Sequence, residues 1–242
     1  MTKQFQPEMI HKVLLKLSGE VLAGTRGFGY CDEIIDALTE DLKTAKNLGY
    51  SLGIVLGGGN IFRGGSWKKQ ELNRVVLDNI GMLATVQNAL YLAEVLNSKN
   101  CKAEVFSALA IDKVARRYSP QLAIEAMEAG SICFLSGGTG NPFFTTDTAA
   151  VLRAVELKAD IVLKATKVDG LYTADPVKHP EASFIRVASY QECVDQRLGV
   201  MDLTAFSLAS ENHIPMKIFN IGKPGALLAA LQNPDSGTFI HP

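Results

Sequence analysis

Cysteine, histidine and excess charge are all scarce in this chain, and each shortage removes a class of function. The four cysteines, Cys31, Cys101, Cys133 and Cys193, are scattered without metal-ligand spacing, mostly in helix-like or strand-like surroundings. They read as small buried side chains in a reducing compartment, not as a disulfide frame. The four histidines, His11, His179, His213 and His241, are equally dispersed, and core or surface roles suit them better than catalysis. A formal net charge of −1 gives no global pull toward nucleic acid or a membrane surface, so any anion site has to be assembled locally. No segment reaches the roughly 20 apolar residues of a membrane span. Residues 1–12 lack the continuous apolar run of a signal peptide. A soluble, cytoplasmic protein is expected.

Several catalytic signatures are missing too. There is no Gly-x-x-x-x-Gly-Lys-Ser/Thr, which excludes a P-loop kinase. No Gly-x-Gly-x-x-Gly follows the first strand, which weakens a dinucleotide-binding reading. Ser18-Gly19 and Ser136-Gly137-Gly138 are not nucleophile elbows of the Gly-x-Ser-x-Gly type. No helical histidine pair and no Cys-x-x-Cys supports zinc, and no protein metal site is assigned.

What the chain does have is apolar content of 47%, 21 glycines and a length of 242 residues, which suit one compact α/β domain. Strands are expected at residues 13–17, 51–56, 103–107, 131–135, 161–164 and 216–219. Helical stripes are expected at 32–48, 72–98, 120–129, 146–159 and 203–212, and Ser189 with Glu192 has the spacing of a capping box. Alternation of this kind predicts right-handed βαβ units, and hence a three-layer αβα sandwich around a mostly parallel sheet. Residues 169–187 are the least regular stretch and read as an edge hairpin or loop. Trp67, Lys68 and Lys69 read as a mobile rim segment. The run 77–96 is apolar on more than one side, so it is expected to be buried twice, once on its own sheet and once in a dimer interface.

Ligands of open parallel sheets collect beyond the carboxyl ends of the strands, and four stretches occupy that position. They are Lys16-Leu17-Ser18-Gly19, Gly57-Gly58-Gly59-Asn60, the run from Gly137 to Asp147, and Lys164-Ala165-Thr166-Lys167-Val168-Asp169-Gly170. The third places glycines between an apolar strand and a helix start, where backbone N–H groups and the helix dipole favour an anion. Its threonines add donors, and Phe143-Phe144 can wall a base or ring. A lysine near a strand end is commonly a solvated surface residue. Lys16 and Lys164, however, both interrupt apolar strands at the same end, where a charge needs a partner or ligand. The triple glycine suits a tight turn or, with Arg63 nearby, close approach of backbone to phosphate. Asp78 sits in a long helical run, where an exposed surface role is the alternative.

Taken together, these motifs resemble the amino acid kinase superfamily and, within it, the bacterial uridylate kinases. The string Gly138-Thr139-Gly140-Asn141-Pro142-Phe143-Phe144-Thr145-Thr146-Asp147 is the most selective. Lys16-Leu17-Ser18-Gly19-Glu20, Gly57-Gly58-Gly59-Asn60-Ile61-Phe62-Arg63-Gly64, the stretch from Lys164 to Pro176 and Val200-Met201-Asp202-Leu203-Thr204-Ala205-Phe206 accompany it. The resemblance implies a single domain over residues 13–242, after an extension at 1–12 with no reading beyond a flexible or oligomer-facing tail. An N-terminal lobe would bind UMP and assemble oligomers, and a C-terminal lobe would bind ATP.

The implied activity is reversible transfer of the ATP γ-phosphoryl group to UMP, giving UDP and ADP for pyrimidine nucleotide biosynthesis. A kinase of another small acid, or a binding-only relative, is the alternative. By resemblance, Lys16, Lys164 and Asp147 are catalytic. Lys16, Leu17, Ser18, Gly19, Gly59, Arg63, Thr166, Tyr172 and Asp175 would meet ATP. Gly58, Asp78, Thr139, Gly140, Asn141, Pro142, Phe143, Phe144, Thr145 and Thr146 would hold UMP, with Arg63 also reaching its phosphate. Magnesium would ride on ATP oxygens with few protein ligands. A homohexamer inhibited by UTP is also implied. Gly24-Thr25-Arg26-Gly27-Phe28-Gly29 resembles the segment linked to GTP activation, whereas Ala93, Glu94, Asn97, Glu104 and Ser131 offer a triphosphate little positive charge.

Overall fold

The computed structural model describes residues 5–63, 72–196, 198–199, 201–223 and 225–242. Trp67, Lys68, Lys69, Gly64 and Val200 lie outside them. The chain runs through β1 (Lys12–Leu17), α1 (Gly19–Leu22), α2 (Asp32–Asn47), β2 (Ser51–Leu56), α3 (Arg74–Ser98), β3 (Ala103–Ser107) and β4 (Arg116–Arg117). It continues with α4 (Pro120–Glu128), β5 (Ile132–Ser136), α5 (Thr146–Leu157), β6 (Ile161–Thr166), β7 (Leu171–Tyr172), β8 (Phe184–Ile185), β9 (Val187–Ser189) and α6 (Tyr190–Asp195). The last elements are α7 (Leu203–Glu211), β10 (Met216–Asn220), α8 (Ala226–Gln232) and β11 (Thr238–His241).

One sheet carries the order β4-β3-β5-β2-β1-β6-β10-β11-β9, with β7 and β8 as a separate antiparallel pair. Its pairings are parallel except for β10 with β11. The central strands are apolar on both faces, as a sheet covered by helices on both sides requires. One face packs under α2, α3 and α8 through Leu15, Leu17, Ile54, Leu42, Leu92 and Leu231. The other packs under α4, α5 and α7 through Leu14, Val162, Ile218, Val151, Ala154 and Phe206. The expected three-layer αβα sandwich is the fold. Ser189 and Glu192 form the expected capping box at the start of α6, and residues 169–187 contain the hairpin of β7 and β8.

The C-terminal strand β11 escaped the sequence reading, because Thr238–His241 is short and follows a loop. The chain reverses into it at Gly237, with φ +72°, where an added Cβ would lie 2.2 Å from the Ile218 carbonyl oxygen. Only glycine permits that approach.

Residues 5–11, expected only as part of a flexible or oligomer-facing tail, are packed onto this domain at two positions. Phe5 and Ile10 are buried against this same domain, and Lys12 already belongs to β1. The Phe5 ring meets Phe239 edge-on at a centroid distance of 5.6 Å. It also covers the ammonium group of Lys217, which lies 3.7 Å from the ring centroid and donates to the Asn233 carbonyl at 2.7 Å. A cation on an aromatic face keeps part of its charge stabilised after water is removed.

Burial nonetheless depresses the Lys217 ammonium to about 8, with the nearby Asp235 charge offsetting part of the effect. Between that value and the ordinary lysine range the unfolded chain binds the additional proton, so stability rises with pH across the interval. A shift of this size corresponds to about 3 kcal/mol. Chemical denaturation at pH 7.5 and pH 10 should show the wild type gaining on a Lys217→Met variant by a large part of that amount. Parallel pH dependence in the two proteins would show that Lys217 is not depressed.

Candidate active site

The register of two neighbouring strands builds the centre of the site. Lys16 on β1 pairs directly with Lys164 on β6. Both follow the alternation that sends Leu14 and Val162 to the α5 face, so the two ammonium groups reach the same side of the sheet at its carboxyl end. Asp147, in the first turn of α5, lies between them. Lys16 Nζ is 2.7 Å from Asp147 Oδ1, and Lys164 Nζ donates to Asp147 Oδ2.

All three side chains are largely removed from water, at 12% exposure for Lys16, 8% for Lys164 and 14% for Asp147. Burial raises the Asp147 carboxyl, but the Lys16 and Lys164 charges overcome that and hold it below the usual carboxylate range. Burial lowers the Lys164 ammonium, Asp147 opposes the shift, and Lys16 adds to it. The trio carries two positive charges and one negative, and the Asp202 charge offsets part of that excess at Lys164.

Helix α5 is held in place by a network the sequence reading did not resolve. Its N-cap, Thr145, accepts from the Asp147 and Thr148 backbone N–H groups. The Thr145 hydroxyl donates to Asp202, and the Thr148 hydroxyl donates to the same carboxylate at 3.0 Å. Asp202 is itself the N-cap of α7 and accepts from the Ala205 N–H at 2.9 Å. One carboxylate therefore joins the starts of two helices, and its charge also acts on Lys164. In the sequence Asp202 stands out only as part of the motif at residues 200–206. The available signal was its place immediately before an apolar helical run.

Beside the trio opens a cavity of about 350 Å³ lined by Gly58, Phe62, Arg74, Leu77, Asp78, Gly81, Met82, Thr85, Gly138, Asn141, Phe144, Thr145 and Thr146. Of the residues expected on the UMP side, Gly58, Asp78, Asn141, Phe144, Thr145 and Thr146 reach it. Thr139, Gly140, Pro142 and Phe143 belong to the same loop but do not line it. The Thr139 hydroxyl is engaged within the loop, donating to the Asn141 carbonyl and accepting its N–H. The loop is fixed from outside by Thr85, whose hydroxyl accepts the Gly137 N–H at 2.8 Å. Buried Arg153 adds a second tie by donating to the Gly138 carbonyl at 3.0 Å.

The residues expected to meet ATP differ in how they are placed. The Leu17 side chain is wholly in the core, so only its backbone can serve a ligand. Gly19 packs so tightly on the glycine-rich turn that an added Cβ would fall 2.5 Å from the Gly57 oxygen. Arg63 Nη2 lies 2.7 Å from Glu20 Oε1, and Lys167 approaches Glu20 Oε2 at 3.5 Å. Asn60 faces inward, pairing its amide reciprocally with Asn88. It also exchanges backbone and side-chain bonds with Gly29, which ties residues 24–29 to the glycine turn.

Thr166 donates to the Val168 carbonyl at 2.6 Å. Tyr172 and Asp175 share a separate cavity of about 370 Å³ with Val168, Pro176 and Leu198. Among the described residues, no group of three or more His, Cys, Asp or Glu could hold a metal ion, and no helix is long and apolar enough to cross a membrane.

Comparison with known proteins agrees with this geometry. The pattern of the amino acid kinase family matches residues 11–220. The uridylate kinase of Aeromonas hydrophila is 46% identical, over 95% of this chain and 94% of its own length. That of Salmonella typhimurium is 47% identical, over 95% of each. The solved structure of UMP kinase from Bacillus anthracis superposes with a TM-score of 0.92 at 36% identity, covering 96% of both chains. With a family pattern over residues 11–220 and relatives of this identity along nearly its whole length, the chain belongs to the amino acid kinase family, among the uridylate kinases.

Proposed function

We infer that this chain transfers the γ-phosphoryl group of ATP to UMP, forming UDP and ADP. The observation that carries the reading is the Lys16–Asp147–Lys164 trio at the edge of the cavity that holds Asp78, Asn141 and Thr146. The acceptor atom in such a reaction is already a phosphate oxygen, so no strong base is required. Catalysis then rests on positioning two anions and neutralising charge on the transferred group. Lys16 and Lys164 supply that charge, and Asp147 keeps both ammonium groups aimed at one point. Because both Asp147 oxygens face lysines, the carboxylate is not free as a metal ligand. Magnesium is accordingly read as part of the nucleotide, bound to its phosphate oxygens and reducing their charge.

Gly59, Arg63, Thr166, Tyr172 and Asp175 are read as the ATP side, and the cavity that holds Asp78 and Asn141 as the UMP side. Asp78 can accept ribose hydroxyls, and Asn141, whose backbone Thr139 braces, reads the uracil edge. Arg63 and Thr146 serve the UMP phosphate. The outward face of α3 supports assembly: Val76, Ile80 and Leu83 are 52%, 39% and 46% exposed, opposite the buried Ala89, Leu92 and Leu96. A dimer through this face would be the unit of the hexamer. The enzyme is read as inhibited by UTP at the substrate site and as weakly responsive to GTP.

Lys16→Met and Lys164→Met each keep shape and remove charge, and each should lower kcat by about 10² or more. Near-normal kcat in both would remove the lysines from the mechanism. CMP should be a poor acceptor, because its amino group presents a donor where UMP has an acceptor, and sites with unpaired buried polar groups reject analogues by several orders of magnitude. Comparable kcat/KM for CMP and UMP would overturn the uracil assignment. Light scattering should give the mass of a hexamer, and a monomer at micromolar concentration would refute the α3 interface.

A further inference from the structure

The acceptor cavity contains one contact set that neither the chemistry above nor the motifs account for. Arg74 is the first residue of α3, and its Nε lies 2.8 Å from Asp78 Oδ1 and 2.9 Å from Oδ2. An exposed i,i+4 ion pair on a helix ordinarily contributes little. This one is joined to the opposite wall, because Asp78 Oδ2 also accepts the Phe143 N–H at 2.8 Å. Phe143 has φ +73°, a left-handed backbone that a bulky side chain adopts only where its surroundings impose it. The Arg74 guanidinium lies 5.7 Å from the centroid of the Phe143 ring. Arg74 thus restrains both ends of one link: the carboxylate that holds the peptide, and the ring attached to that peptide. Asp78 keeps lone-pair capacity for further donors, since a carboxylate offers about four acceptor sites.

We propose that Arg74 is a positioning residue for the acceptor nucleotide, fixing Asp78 and, through it, the strained Phe143 peptide of the substrate loop. The proposal rests on reading this cavity as the UMP site. Lysine is a poor replacement, being a point charge on a flexible stem where arginine offers a planar group that also stacks on a ring. Removing the guanidinium leaves the Asp78 carboxylate free to rotate and the Phe143 turn held only by its neighbours.

The test uses Arg74→Ala and Arg74→Lys in the full chain, with two measurements. The first is amide exchange across residues 137–146 without nucleotide, which reads the clamp independently of any reaction. The Phe143 amide should be protected in the wild type and exchange faster in Arg74→Ala. The second is steady-state kinetics with UMP and ATP varied separately. Arg74→Ala should raise KM for UMP about tenfold or more, as misplacement of binding groups does, while KM for ATP stays within about twofold. Arg74→Lys should recover part of the loss.

Unchanged exchange together with unchanged KM for UMP would overturn the proposal. So would an equal rise in both KM values, which marks general loosening. If Arg74→Ala does not fold, Arg74→Lys alone must still separate the two KM values, and its failure to do so counts against the proposal. A wild type with a protected Phe143 amide but no phosphorylation of UMP would overturn the acceptor assignment, and with it Arg74's role toward UMP, while leaving the clamp demonstrated.

Discussion

Two ammonium groups set side by side on adjacent parallel strands, with one carboxylate between them, are the constraint on which this structure turns. Parallel neighbours lie about 4.8 Å apart. Like unit charges at about 4 Å repel by about 4 kcal/mol at an effective dielectric of 20. Lys16 and Lys164 are register partners on one face, so their repulsion is fixed by the backbone and cannot be relieved by sliding one strand without moving whole apolar rows to the wrong face. Asp147 reaches both lysines and offsets that repulsion. This explains why the start of α5 is held by the Thr145 cap and by Asp202. If the helix drifted, two buried cations would lose their shared carboxylate, and removing one partner of a buried pair costs far more than a surface ion pair is worth. The remaining positive excess is then a property of the fold, present before any nucleotide arrives.

That constraint also separates what the sequence discloses from what it does not. Lys16 and Lys164 were legible because charges inside Val-Leu-rich strands conflict with a two-sided parallel sheet, and a conflict between local pattern and fold marks function. The layers were legible for the complementary reason: the apolar stripes of α2 and α5 follow helical spacing without interruption. What one sequence does not give is distance across the chain. That Asp147 meets both lysines, that Asp202 meets Thr145 57 residues upstream, and that Asn60 pairs with Asn88 are facts of tertiary geometry with no local periodicity. The Asn60 amide illustrates the limit well. A polar residue after three glycines suggests a ligand contact, whereas its side chain is wholly buried and devoted to another helix.

The N-terminal residues failed to read for a different reason. A segment with one phenylalanine, one proline and one isoleucine has too little periodicity to predict packing. Phe5 is nevertheless ordered onto the domain, because Lys217 leaves a buried charge that an aromatic face can cover. The demand comes from a residue more than 200 positions away along the chain, so no window around Phe5 contains it. Short edge elements such as β11 are similar. Their pairing is decided by the strand they meet and by a glycine that lets the chain turn, not by their own composition.

Helix α3 connects these local arguments to the behaviour of the whole. Its first turns carry Arg74 and Asp78 to the acceptor cavity. Its middle packs on the sheet through Ala89 and Leu92 and presents Val76, Ile80 and Leu83 outward. A helix that must satisfy a cavity at one end, a core on one side and an apolar outer face has little freedom to move one of these without the others. Any subunit packed on the outer face would press on the element that positions Asp78. On the reading proposed for this cavity and for the outer face of α3, coupling between assembly and acceptor binding would need no separate transmission route, because one helix belongs to both.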